Sequence, residues 1–189
     1  MEQIEINILV LGDIGVGKDN IINRYMFDQF AEEIDPYIDQ YETPIIVNLE
    51  DKLIKLYMEC ISHSEEFRPL LIRMISRVTA FIFVFSVDNH ESFNHYQQIE
   101  NLLLEARPKG DYPIIAMANK GDLPSESWEI TSQEMIEFFE KKGIKLFITS
   151  AKTNINVKEG INYLLKSIKV ENKKKKPQRK KLVDRCIIE

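Results

Sequence analysis

Four stretches of the chain carry side chains whose types and spacing could do chemistry. Gly12-Asp13-Ile14-Gly15-Val16-Gly17-Lys18 fits the pattern G-x-x-x-x-G-K. Glycines let a backbone wrap closely around a phosphate with its amide N–H groups turned inward, and the lysine supplies a cation for the terminal phosphates. Asn119-Lys120-Gly121-Asp122 offers a carboxylate that can accept hydrogen bonds from the N1 and exocyclic amino groups of guanine, where adenine presents the wrong donors. Thr149-Ser150-Ala151-Lys152 could bring a backbone amide to the guanine oxygen. Near the end of the chain, Cys186 is followed by Ile187, Ile188 and Glu189, two aliphatic residues after a cysteine as in a lipid-acceptor box.

These loops need a scaffold, and the hydrophobic pattern supplies one. Ile4–Leu11 reads as a buried strand running into Gly12, and Asp19–Phe30 as the helix that follows. Ile45–Leu49 and Lys52–Glu59 read as a hairpin, and Glu65–Arg77 as an irregular helix. Ala80–Phe85, Tyr112–Ala118 and Ile144–Ile148 read as further strands. Glu91–Ala106 has the spacing of one amphipathic helix, and Val157–Val170 of another. Thr131-Ser132-Gln133-Glu134 is a capping box opening a helix to about Lys142, stopped by Gly143. This alternation predicts an α/β domain with a doubly wound, mostly parallel six-stranded sheet and helices on both faces. Ligands in such sheets sit at the carboxyl ends of the strands, where the first three stretches fall.

Taken in order, and each after a strand, those stretches resemble a small GTPase of the Ras superfamily, a P-loop NTPase, over residues 4–170. Phe30, Asp35-Pro36 and Glu65-Glu66-Phe67 match further family features. No segment between Asp122 and Ser150 is long enough for a Rho-type inserted helix, and the tail lacks paired Rab-type cysteines, so the Ras-like subfamily is the nearest. The resemblance implies GTP or GDP clamped by Gly12, Asp13, Ile14, Gly15, Val16, Gly17, Lys18 and Asp19, by Asn119, Lys120 and Asp122, and by Ser150, Ala151 and Lys152, with Phe30 packed on the base. It also implies effector proteins that dock on the first switch segment, about Glu33–Thr43.

The chain departs from the family where the metal and the attacking water should be. The residue after Lys18, a Ser or Thr that ligates Mg²⁺ in the family, is Asp19. A carboxylate can ligate Mg²⁺, but it also adds negative charge beside a polyphosphate, so the metal site is either reworked around Asp19 or lost. Ile14 stands where the family has a small glycine, and Tyr37 where switch I has its threonine. The switch II pattern Asp-x-x-Gly-Gln fits in two registers. One substitutes Cys60, His63 and Ser64 for the Asp, Gly and Gln, and the other Glu59, Ser62 and His63. Strand alternation through Ile54, Leu56 and Met58 favours the first. His63 and Ser64 are the candidates for positioning water. Removing one positioning group commonly costs ~10²–10³ in rate, so hydrolysis is expected to be weak or absent. Two alternatives remain: a working GTPase using Asp19 with His63 or a partner's arginine, and a nucleotide-free interaction scaffold.

The 189 residues carry 25 Lys+Arg and 30 Asp+Glu, a formal charge of −5. Eight basic and three acidic side chains make residues 171–189 a +5 tail and leave −10 for residues 1–170. The expected organisation is therefore a nucleotide domain over 1–170 and a disordered polybasic tail over 171–189. The cluster Lys173–Lys181 beside Cys186 suits an anionic membrane better than nucleic acid, placing the protein at the cytoplasmic face of a membrane, the plasma membrane first, or in the cytosol if Cys186 is not prenylated. No apolar run reaches the length of a membrane span, the N-terminus has no signal-peptide pattern, and two cysteines make no disulfide framework. A monomer is expected.

Overall fold

The computed structural model describes residues 3–32, 43–50, 52–62 and 68–168. The segment 33–42, His63, Ser64 and the tail with Cys186 lie outside them, so the expectations for the effector segment, the water-positioning pair and the lipid site do too.

The described elements are β1 (Gln3–Gly12), α1 (Lys18–Phe27), β2 (Ile45–Leu49), β3 (Lys52–Ser62), α2 (Arg68–Ile75), β4 (Ala80–Ser86), α3 (His90–Asn94), α4 (Tyr96–Ala106), β5 (Ile114–Asn119), α5 (Ser132–Lys141), β6 (Lys145–Ile148) and α6 (Val157–Ser167). The strands form one sheet in the order β2-β3-β1-β4-β5-β6. Every pair is parallel except β2 with β3, where Ile45 opposes Leu56 and Leu49 opposes Lys52. The strand order reverses at β1, so the loops after β1 and β4 diverge to opposite sides and leave a crevice at the carboxyl edge.

Strict alternation along β1 and β4 divides the core between two faces. Ile6, Ile8 and Val10 of β1, with Ala80, Ile82 and Val84 of β4, pack against Ile21 and Ile22 of α1 and Ile161, Leu164 and Leu165 of α6. Leu9 and Leu11, with Phe81, Phe83 and Phe85, pack against Leu71 and Ile75 of α2, Tyr96, Ile99 and Leu103 of α4, and Met135 and Phe139 of α5. All seven residues of β4 are buried, which is why this strand reads as an unbroken apolar run. The second face is aromatic: Phe83 meets Tyr96 edge-on at 5.1 Å between ring centroids, and Tyr96 meets Phe139 likewise at 5.3 Å.

Helix boundaries differ from the sequence expectation in several places, α2 ending at Ile75 rather than Arg77 among them. Helix α1 ends at Phe27 rather than Phe30, because Asp28 turns into the left-handed region (φ 55°, ψ 34°) and its N–H bonds back to the Arg24 carbonyl. Phe30 thus belongs to the loop beyond the helix. The single helix expected over Glu91–Ala106 is two, meeting at His95. The first opens at His90, with the Asn89 side chain accepting from the Ser92 N–H at 3.0 Å. His95 sits at φ −65°, ψ −11°, still in the right-handed helical region, so the break leaves the apolar spacing undisturbed and gives no sign in the sequence. Helix α6 ends at Ser167, short of Val170. Thr131 does cap α5, its hydroxyl accepting from the Glu134 N–H at 3.2 Å.

Candidate functional site

The turn from β1 into α1 is tight for a steric reason. Gly17 has φ 91°, and a Cβ there would lie 2.4 Å from Asn119 Nδ2; at Gly12 a Cβ would lie 2.0 Å from the Val84 carbonyl oxygen. Both positions need glycine for closeness as well as for backbone angle. Asn119, at the end of β5, uses that closeness. Its Nδ2 donates to the Val16 carbonyl at 2.9 Å, and its Oδ1 accepts from the Ala151 N–H at 3.1 Å. One side chain, 3% exposed, thereby ties the phosphate-type loop to the loop after β6.

Asp122 lies beside that staple. Ser150 donates its hydroxyl to Asp122 Oδ1 at 2.5 Å and accepts from the Thr153 N–H at 3.0 Å, which fixes the carboxylate's direction. Lys120, at φ 63°, reaches Asp88 at 3.2 Å. Burial works against the charge on Asp88, yet hydrogen bonds from the Ser86 hydroxyl and from Lys120 hold its carboxyl below the usual range. Gly15, Gly17, Phe30, Asn119, Lys120, Asp122, Ala151 and Lys152 line a single cavity of about 360 Å³ with Asn20, Glu32 and Leu123. The volume and the mixed lining suit a small polar ligand with one flat apolar face.

The other end of this cleft is built by α1 and β3. Lys18 is 4% exposed; its Nζ donates to the Asp13 carbonyl at 2.6 Å and to Ser62 Oγ at 3.3 Å. Burial pushes its ammonium below the ordinary value, opposed by the nearby Cys60, Asp19 and Asp13. Cys60 Sγ donates to Asp19 Oδ1 at 3.1 Å. Burial first, and then Asp19, push the Cys60 thiol up to about 12. Cys60, not Glu59, is the strand residue facing this end: Glu59 lies on the opposite face and is exposed. Ile14 projects from the loop, 84% exposed.

Several residues that hold the site carry no motif. Arg24 donates from Nε to the Ala151 carbonyl at 2.9 Å and from a terminal nitrogen to the Lys152 carbonyl at 3.2 Å. Asn20 clasps the backbone of Ala31 through both its N–H and its carbonyl, at 3.0 and 2.9 Å, and so fixes the chain just past Phe30. His95 Nδ1 lies 2.6 Å from Asp13 Oδ2, joining the phosphate-type loop to the junction between α3 and α4. The sequence holds no local sign of these pairs, because the partners of Arg24 are 127 and 128 positions away and that of His95 is 82 away.

Among the described residues no group of three or more His, Cys, Asp or Glu side chains could hold a metal ion by itself.

Comparison with known proteins is consistent in kind. Residues 7–170 match the family model described as Ras family. The chain is 28% identical over 165 residues to the Ras-like protein rasC of Dictyostelium discoideum, covering 87% of this chain and 86% of that one. It is 29% identical over 184 residues to the Ras-like protein RAS2 of Hydra vulgaris, covering 96% and 94%. The Ypt/Rab-type GTPase avaA of Emericella nidulans is similar at 25% identity over 170 residues, covering 88% and 83%.

Proposed function

The chain belongs to the Ras family, and from that premise we propose that it is a monomeric guanine-nucleotide-binding signalling protein held at a membrane, with weak or absent GTP hydrolysis. Members of the family bind guanine nucleotides, typically with Mg²⁺, and generally bind protein effectors. The observation that carries the nucleotide reading is the Asn119 staple, which holds the phosphate-type loop and the loop after β6 around one cavity containing Asp122 and Phe30. In that cavity Asp122, aimed by Ser150, accepts from the guanine N1 and amino groups, and Phe30 covers a face of the base. The loop amides and Lys18 bind the phosphates.

Mg²⁺ fits the described residues through one group. The Asp19 carboxylate is a hard oxygen donor in the first turn of α1, of the type that joins phosphates in holding this ion. The Cys60 thiol is a soft donor and suits it less. When bound, the ion would neutralise charge on the phosphates.

Weak hydrolysis is supported by two features of the phosphate end. Ile14 places an exposed branched side chain in the loop where the attacking water and a partner's arginine would need room. Cys60 brings a thiol to the strand position that carries a carboxylate in the family. Membrane attachment rests on Lys173–Lys181 and Cys186, a basic cluster next to a lipid-acceptor cysteine. Effectors would dock on the segment Glu33–Thr43.

The test is to purify the protein natively, identify bound nucleotide by chromatography with Mg²⁺ or EDTA present, and follow single-turnover GTP conversion. Retained GDP or GTP with little conversion is expected. A nucleotide-free protein under both conditions overturns the binding reading, and rapid conversion to GDP overturns the weak-hydrolysis reading in favour of a working GTPase. Intact mass from eukaryotic cells tests Cys186: an unmodified, uncleaved Glu189 terminus refutes the lipid.

A further inference from the structure

The Asp19–Cys60 contact reverses an arrangement across the phosphate end of the site. The family pattern sets a hydroxyl on the first turn of α1 and a carboxylate on the strand. Here the carboxylate stands on the helix and the small hydrogen-bond donor on the strand. We infer that the two groups have exchanged roles: Asp19 is this chain's own ligand to the cation that accompanies the nucleotide, and Cys60 is the positioning residue that orients Asp19 for it. The inference rests on the nucleotide reading above.

The geometry supports a built pair rather than a chance contact. Strand β3 runs parallel to β1 in a register that sets Cys60 beside Val10 and Ser62 beside Gly12, where the phosphate-type loop begins. Side chains two apart on a strand share a face. Cys60 and Ser62 therefore reach consecutive residues of α1: Cys60 donates to Asp19 Oδ1 at 3.1 Å, and Ser62 accepts from Lys18 Nζ at 3.3 Å. Lys18 is also anchored to the Asp13 carbonyl at 2.6 Å. Strand β3 thus holds both charged residues at the start of α1, each through one small polar side chain.

Charge then decides what the pair is for. A carboxylate beside a polyphosphate is repelled, and a helix N-terminus offsets only part of that repulsion. A divalent cation between them turns the repulsion into attraction for both. An ion there would take oxygen from Asp19 and from the phosphates. A hydrogen bond to a ligating carboxylate fixes its orientation, and losing such an outer partner typically costs ~10–100-fold in metal affinity. Cys60 occupies that outer position.

The experiment measures dissociation of a fluorescent GDP analogue from the full chain across a Mg²⁺ titration. In parallel, electron paramagnetic resonance counts bound Mn²⁺. Cys60→Ala is expected to raise the half-saturating Mg²⁺ concentration about 10–100-fold while leaving affinity at saturating Mg²⁺ within a few-fold. Cys60→Ser, which keeps a donor, is expected to restore most of the shift and so separates orientation from folding. Asp19→Asn should abolish stoichiometric Mn²⁺ in the presence of GDP. Equal Mg²⁺ midpoints for wild type and Cys60→Ala, equal shifts for Cys60→Ala and Cys60→Ser, or full Mn²⁺ binding by Asp19→Asn each overturn the inference alone. Failure to bind the analogue at any Mg²⁺ concentration overturns the nucleotide reading and this inference with it.

Discussion

Asn119→Ala should loosen two loops at once, and the cost can be worked from its contacts. The substitution deletes the bond from Nδ2 to the Val16 carbonyl and the bond from the Ala151 N–H to Oδ1, at 2.9 and 3.1 Å. Alanine replaces neither, so one carbonyl and one N–H lose their partners next to a side chain that is 3% exposed. A buried polar group left unsatisfied costs about 1–3 kcal/mol, which puts the pair at roughly 2–5 kcal/mol once partial relaxation is allowed. For a domain of this size each kcal/mol moves the midpoint by about 2–4 °C, so Tm should fall by roughly 5–15 °C.

The measurement must be made on nucleotide-free protein, because a lost ligand would add its own destabilisation by mass action. Differential scanning calorimetry in EDTA gives the midpoint. Gln133→Ala is the control: its amide bonds to Glu137 on the exposed face of α5, and its Tm should stay within about 2 °C. A nucleotide-free Asn119→Ala protein that melts with the control would show that Asn119 does not join the loops in solution. The account of the site as one stapled cavity would then be wrong.

Three further outcomes follow from local geometry. Gly17→Ala should lower Tm by more than Gly15→Ala: both have positive φ, about 1–2 kcal/mol of backbone strain, but only at Gly17 does the new Cβ meet Asn119, whereas at Gly15 the space is open; equal melting points would refute the clash. In a Cys186→Ser background, iodoacetamide should label Cys60 roughly 10²–10³ times more slowly in the folded protein at pH 8 than after denaturation, because burial pushes its thiol up to about 12 and the thiolate is the nucleophile; labelling at the denatured rate would refute it. Burial likewise pushes the Tyr25 phenol up to about 12, and its hydroxyl donates to Asn162 Oδ1 at 2.9 Å. The folded value lies above the unfolded one, so this contribution is intact below about pH 10 and is lost as pH rises from about 10 toward 12. Tyr25→Phe should show a shallower fall in Tm across that window, and an unchanged slope would count against it.

What could be read from the sequence divides by range along the chain. Asn119-Lys120-Gly121-Asp122 and Gly12–Lys18 are each contiguous, because one turn after one strand must supply several groups to one part of a ligand. Strands β1 and β4 were legible as buried runs because both of their faces are covered. The break at His95 was not legible, because apolar residues keep helical spacing across it, and neither was its imidazole's contact with Asp13, 82 positions away. The supports from Arg24 and Asn20 were hidden for the same reason. Both look like ordinary polar residues on α1 until the loops they hold fold back over them. Asp19 and Cys60 were visible singly as departures from a pattern. That they compensate one another depends on the register of β3 beside β1, which no local motif encodes.

That compensation bears on how the phosphate end should be understood. Independent decay of a metal site would leave each altered group without regard to the other. A carboxylate introduced beside a buried lysine and a polyphosphate would then be tolerated only by chance. Instead the group opposite is a thiol, small enough to sit 3.1 Å from Asp19 and able to donate, where a carboxylate kept at that strand position would have repelled it. Ile14, in the same loop, is 84% exposed and has no such partner among the described residues. The two departures therefore separate in kind. The Asp19–Cys60 exchange preserves a way to manage charge at the phosphates and argues for retained nucleotide binding. Ile14 bears only on the space needed by water and a partner's arginine, and so on hydrolysis.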